Sequence, residues 1–130
     1  MKTIILDTNF LVDCLSWRVD FFRELERIIP FAYKLASVDK TLDELDAIIT
    51  KGTQDVKIGA RLALQLIMKK RIELIKTDKN GYTDTLILKA ADKDTIVATQ
   101  DQDLKRRLKA KGIPVVIIRQ KKYLEIIPEP

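Results

Sequence analysis

Short β-branched runs alternate with amphipathic segments along the whole chain, and this alternation constrains the fold more than any other feature. Thr3–Leu6 is expected to be a buried strand, followed by Phe31–Val38, Ile72–Ile75, Thr95–Ala98 and Val115–Ile118. Helical patterns lie between them. Val19–Ile29 stops at Pro30, and Leu42, Leu45, Ile48 and Ile49 make an apolar stripe in the next helix. Val56–Met68 follows, apolar nearly all round from Leu62, which predicts a central helix. A shorter helix carries Leu86, Ile87, Ala90 and Ala91 after the Asn80-Gly81 turn, and the last carries Leu104 and Leu108, closed by Gly112 and Pro114. Strands alternating with helices call for a mostly parallel sheet covered on both faces. The expected fold is α/β, a three-layer α/β/α sandwich on a five-stranded sheet. Its 130 residues suit a single domain, without repeats, low-complexity tracts or linkers.

The residue types present narrow the chemistry. Cys14 is the only cysteine and there is no histidine. Disulfide frameworks, cysteine zinc cages, Ser-His-Asp and Cys-His catalysis, and histidine-bound zinc or copper are all excluded. Carboxylates, hydroxyls, lysine, arginine or a hard metal ion must do any chemistry. No uncharged apolar run approaches the roughly 20 residues of a membrane span, and Met1–Leu6 enters a strand without a signal-peptide layout. A cytoplasmic protein without a membrane partner is expected.

In open α/β sheets, ligands bind beyond the carboxyl ends of the strands. There the first four strands all deliver acids. Asp7 follows the first; Asp39 and the helix bearing Asp43, Glu44 and Asp46 follow the second. Thr77-Asp78 and Thr83-Asp84 follow the third, and Thr99-Gln100-Asp101-Gln102-Asp103 the fourth. Any one aspartate at such a position is ordinarily a helix N-cap. Four together repel one another unless a cation sits among them, and oxygen ligands alone favour Mg²⁺ or Mn²⁺. At 3.6 residues per turn, Asp43 points away from the apolar stripe, while Glu44 and Asp46 flank it on either side. Periodicity leaves Glu44 and Asp46 tied.

Charge is distributed unevenly. Of 24 basic residues, eight lie between Leu104 and Leu124, a stretch without any acid: Lys105, Arg106, Arg107, Lys109, Lys111, Arg119, Lys121 and Lys122. The chain's net charge of +5 therefore resides there. A polyanion such as nucleic acid is the partner this asymmetry suggests, against the plainer reading of a solvated helix face.

These residues resemble the PIN-domain ribonuclease family over nearly the whole chain. Ile4-Ile5-Leu6-Asp7-Thr8-Asn9 is similar to its opening strand, with Asp7 as the first metal-binding acid and Asn9 as a supporting residue. Asp43-Glu44-Leu45 resembles the helix motif, and the resemblance selects Glu44 over Asp46. Tyr82-Thr83-Asp84-Thr85-Leu86-Ile87 resembles the third acidic motif, usually two aspartates; Thr83 stands at the first, so Asp84 carries the role alone. Ala98–Leu104 resembles the fourth, with Asp101 as principal acid, Asp103 as secondary acid and Thr99 as the hydroxyl. Gln100 stands where the family often has Asn. Thr95–Thr99, Asp103–Leu108 and Gly112–Val115 are similar to PIN nucleases of small-subunit rRNA processing and to their archaeal VapC-like relatives.

The resemblance implies a strand order of 3-2-1-4-5, to which right-handed crossovers also lead. It implies Mg²⁺ or Mn²⁺ held by Asp7, Glu44, Asp84, Asp101 and Asp103, and cleavage of single-stranded RNA to 5′-phosphate and 3′-hydroxyl ends. Lys105, Arg106, Lys109, Lys121 and Lys122 are the candidates for the RNA backbone, and Tyr123 for a base or for packing. A preribosomal particle, an antitoxin protein or a second copy in a homodimer are the partners to consider. A receiver domain would need paired acids after strand one and a lysine after strand five, where Asp7 is alone and Arg119 stands. An aspartyl phosphatase would need Asp-x-Asp, which Asn9 breaks. The alternative of another class is a non-cleaving PIN scaffold that binds RNA or assists ribosome assembly.

Overall fold

A computed structural model of the protein describes residues 1–130. In chain order it contains β1 (Lys2–Leu6), α1 (Thr8–Ser16), α2 (Phe21–Ile28), β2 (Tyr33–Val38), α3 (Lys40–Lys51) and α4 (Gln54–Met68). The second half contains β3 (Glu73–Ile75), α5 (Thr83–Ala90), β4 (Thr95–Ala98), α6 (Gln102–Ala110), β5 (Val115–Arg119) and β6 (Tyr123–Ile127). The sheet order is β3-β2-β1-β4-β5-β6. Its first five strands are parallel in the expected order, and β6 adds antiparallel to β5.

Alternating side chains sort the core into two layers, as a sheet covered on both faces requires. Ile4, Leu6, Ile96, Ala98, Val116 and Ile118 face Phe10 and Leu11 of α1, Leu25 of α2 and Leu45 of α3. Ile5, Val97, Val115 and Ile117 face Leu86 and Ile87 of α5 and Leu104 and Leu108 of α6. All four motif acids therefore follow segments whose register is set by these two layers.

Three features depart from the sequence reading. α1 begins directly after Asp7, where no helix was expected. β6 makes a sixth strand, joined to β5 through a turn in which Lys122 N–H donates to Arg119 C=O. Gln120 and Lys121 both have positive φ there, the pattern of a type I′ hairpin turn. Neither is glycine, asparagine or aspartate, so the usual signal was missing. Finally, α4 is not central: it packs on α1 and α3, with Ile58, Leu62 and Met68 exposed.

The approach of α4 to α1 depends on Gly59. A Cβ there would lie 2.3 Å from Ser16 Oγ and 2.7 Å from the Val12 carbonyl oxygen. The hydroxyl can rotate away, but the helix backbone cannot. Gly59→Ala is expected to destabilise the protein by about 1–3 kcal/mol despite alanine's better helix propensity, as overpacked sites do. Urea melts of the two proteins check it; an unchanged or raised midpoint would show that the helices can separate freely.

The open edge of β6 is blunted by α2. Leu124 N–H donates to Glu24 Oε1 at 3.0 Å, and its carbonyl accepts from Arg27 at 2.9 Å. Arg27 in turn pairs with Glu24 and holds that carboxyl below its ordinary range. An exposed strand edge invites pairing with other chains, and this side-chain pair occupies part of it.

Candidate active site

Parallel pairing brings the ends of β1, β2 and β4 to one edge. Asp7 N–H donates to the Ala98 carbonyl at 2.9 Å, which ties the end of β1 to the end of β4. One step further, the wholly buried Thr99 donates its hydroxyl to Asp7 Oδ2 at 2.8 Å. The same oxygen of Thr99 accepts from Asp101 N–H at 3.1 Å. Asp101 also caps α6 by accepting from Leu104 N–H at 2.7 Å, so the cap and the site-facing acid are one residue. Gln100 accepts from Ile118 N–H at 2.8 Å and thereby fastens this loop to β5.

Glu44 arrives from α3. Its Oε1 accepts from the hydroxyls of Thr8 and Thr83, each at 2.7 Å. Thr8 Oγ1 also pairs with Thr41 Oγ1 at 2.9 Å. Two threonines, from α1 and α5, thus hold one carboxylate oxygen, with Thr41 of α3 behind Thr8, and Glu44 Oε2 carries no hydrogen bond. Asp46, tied with Glu44 by periodicity, is exposed instead. Asp43 faces solvent as expected and pairs with Lys79 at 3.4 Å.

Burial dominates the electrostatics of Asp7. It raises the carboxyl to about 6, with the charges of Glu44 and Asp101 adding to the rise and the Thr99 hydroxyl opposing it. Glu44 and Asp101 therefore both bear on Asp7, and a cation among them would relieve it.

Asp84 and Asp103 are engaged differently. Asp84 Oδ1 accepts from Thr85 N–H at 2.8 Å, and Asp84 Oδ2 lies 3.3 Å from Arg107. Arg107 also reaches Asp103 at 3.5 Å, and Arg106 pairs with Asp103 too. These arginines hold the Asp103 carboxyl below its ordinary range, Arg106 foremost. So the structure brings Glu44 and Asp101 within reach of Asp7 and places Asp84 and Asp103 on Arg107.

Other acids at this edge have structural work. Asp39 accepts from Thr77 N–H at 3.0 Å and from its hydroxyl at 2.6 Å, anchoring the segment after β3. Asp78 accepts from Asn80 N–H at 2.9 Å in an Asx turn. Asn9 is exposed and its side chain makes no hydrogen bond, whereas the adjacent Thr8, not singled out from sequence, reaches Glu44. Thr41 was also missed, although it stands three residues before Glu44 and so on the same helix face.

The donor set fits a hard divalent ion. No three acidic side chains close into a cage by themselves. Mg²⁺ keeps several waters and takes only one or two carboxylates plus substrate phosphate, which Asp7, Glu44 and Asp101 can supply. Of the candidate cations, Lys121 and Lys122 stand in the β5–β6 turn at the same sheet edge, whereas Lys105, Arg106 and Lys109 follow α6 away from it. Lys121 Nζ rests 5.1 Å over the Trp17 ring, and Tyr123 is partly exposed.

Comparison with known proteins gives the family. Residues 4–121 match the model of a family described as a PIN like domain. The chain belongs to the PIN-domain family. It is 34% identical over 130 residues to ribonuclease VapC4 of Methanocaldococcus jannaschii, covering 97% of each chain. It is 30% identical to the rRNA-processing protein fcf1 of Schizosaccharomyces pombe over 92% of this chain and 60% of that protein. The solved PIN domain endonuclease Utp24 superposes with a TM-score of 0.78 at 27% identity, over 96% of this chain and 90% of that one. No helix of this PIN domain is long and apolar enough to cross a membrane.

Proposed function

We propose that the protein is a metal-dependent endoribonuclease that hydrolyses phosphodiester bonds in single-stranded RNA. The observation that carries this reading is the convergence of Asp7, Glu44 and Asp101 at one sheet edge, held by Thr99, Thr8 and Thr83. When bound, Mg²⁺ or Mn²⁺ supplies polarisation of the scissile phosphate and activation of a water. Asp7, Glu44 and Asp101 are the residues that hold it, with Asp84 and Asp103 completing the acid set from the Arg107 side. The threonines keep the carboxylates in one orientation, so little reorganisation is needed when substrate arrives. Lys105, Arg106, Lys109, Lys121 and Lys122 attract the phosphate backbone that the acids alone would repel, with little preference for sequence.

The named relatives lie in two biological settings, a VapC ribonuclease and an rRNA-processing protein. The corresponding partners are an antitoxin and a preribosomal particle. An antitoxin reading frame beside the gene distinguishes the first setting from the second.

Incubation of the protein with structured and unstructured oligoribonucleotides, in chelator, Mg²⁺ or Mn²⁺, tests the activity. The expected result is internal cleavage of the unstructured RNA only with metal, leaving 5′-phosphate and 3′-hydroxyl ends. Tight RNA binding with no cleavage under any condition would replace this reading by that of a non-cleaving scaffold.

A further inference from the structure

Beside the acid site, α6 and the end of β6 enclose a groove of 710 Å³. Lys105, Arg106 and Lys109 form one wall, and Ile113, Val115, Ile127 and Pro128 form the floor and the other wall. Gln102, the neighbour of Asp101, lies at one end. The other end is fixed by the pairing of Val115 with Ile127, which places both at the sheet edge opposite the acids. The groove therefore runs down from the acid site along the length of α6.

Its lining has two distinct characters. No carboxylate lines it, and Lys105 and Lys109 have no ion-pair partner. They stand four residues apart on α6, about 6 Å along the axis, close to the separation of successive phosphates in an extended strand. Opposite them the floor is aliphatic and offers no hydrogen-bonding side chain, with Ile127 40% exposed.

We propose that this groove receives the RNA strand on one side of the scissile phosphate, its phosphates on Lys105 and Lys109 and its bases against Ile127 and Pro128. The proposal rests on the ribonuclease reading and adds the path of the substrate. Charge complementarity selects a polyanion, and continuity with the acids at Gln102 selects the polyanion that the acids act on. Because the floor has no donors or acceptors, the contact accepts any base.

Fluorescence anisotropy with labelled oligouridylates of increasing length, in chelator, tests the path on the whole protein. Affinity is expected to rise with length until the groove is filled. Ile127→Ser, a neutral change at an exposed position, is expected to weaken binding about tenfold through loss of apolar surface buried against the bases. Lys105→Ala with Lys109→Ala should flatten the log–log salt dependence by about 1.4, two lost phosphate contacts on a single strand. Unchanged affinity in Ile127→Ser overturns the path. Displacement of the oligouridylate by polyglutamate at equal charge concentration also overturns it and assigns the groove to an acidic peptide. The two readings fail separately. Metal-supported cleavage with an unaltered KM in both variants removes the groove and leaves the nuclease; groove-dependent binding without cleavage does the reverse.

Discussion

Asp7→Asn is expected to reduce RNA cleavage by more than about a hundredfold while making the metal-free protein more stable. Partners behind a metal ligand typically contribute 10–100-fold, so loss of a charged ligand itself should exceed that range. The stability change has the opposite sign because the native carboxylate is strained. Its carboxyl lies near 6 in the folded protein against an ordinary value of 3.8, through burial first and then Glu44 and Asp101. A group raised in this way contributes its full stability below 3.8 and loses it as pH rises through 6. The cost of ionising it in the fold reaches about 3 kcal/mol at pH 8 and is roughly half that at pH 5. Asparagine keeps an oxygen for Thr99 and carries no charge, so Asp7→Asn should gain about 1–2 kcal/mol at pH 8 and less at pH 5. Urea melts of both proteins at the two pH values measure this. A variant less stable than its parent at pH 8 would overturn the reading of a strained carboxylate at Asp7.

Added Mn²⁺ should raise the melting temperature of the parent protein by on the order of 10 °C at a hundred times the dissociation constant. Linkage gives about 2.7 kcal/mol at that ratio, and a domain of this size shifts a few degrees for each kcal/mol. The ion competes with the proton on Asp7, so its affinity should rise with pH up to about 6 and level off above. The metal shift and the metal-free stability therefore run in opposite directions with pH, which no capping role reproduces. Asp7→Asn should remove most of the shift. Scanning calorimetry with and without millimolar Mn²⁺ at pH 5 and pH 8 decides it, and a parent protein indifferent to the ion at pH 8 would refute the metal site.

Threonine hydroxyls hold the acids of the site. Thr99, Thr8, Thr41 and Thr83 are all buried, and no buried side-chain polar atom in the protein lacks a partner. Hydroxyls suit this role because each donates to a carboxylate without adding a charge of its own. At position 83, a second carboxylate so close to Glu44 would repel it, whereas threonine donates to it at 2.7 Å. This chain's departure from two aspartates in the third acidic motif therefore supports the neighbouring acid.

The alternation of β-branched runs and amphipathic helices determined the parallel five-strand core, because a strand buried on both faces must be apolar throughout and its crossovers must be helical. It also determined that Asp7, Asp84 and Asp101 follow strands at one edge, since strand ends in a parallel sheet share a direction. What local pattern could not settle is what depends on neighbours distant in sequence. The tie between Glu44 and Asp46 is broken in space by Thr8 and Thr83, which lie 36 and 39 residues from Glu44. Arg107 is one of several basic residues on α6 until α5 brings Asp84 within 3.3 Å of it. β6 stayed hidden because Gln120 and Lys121 adopt positive φ without the residues that usually announce it. α4 read as central because its apolar residues surround it, yet Gly59 lets α1 approach one face and occupy the place against the sheet. Periodicity reports how much of a helix is apolar; only packing decides which helix lies against the sheet and which carboxylates meet.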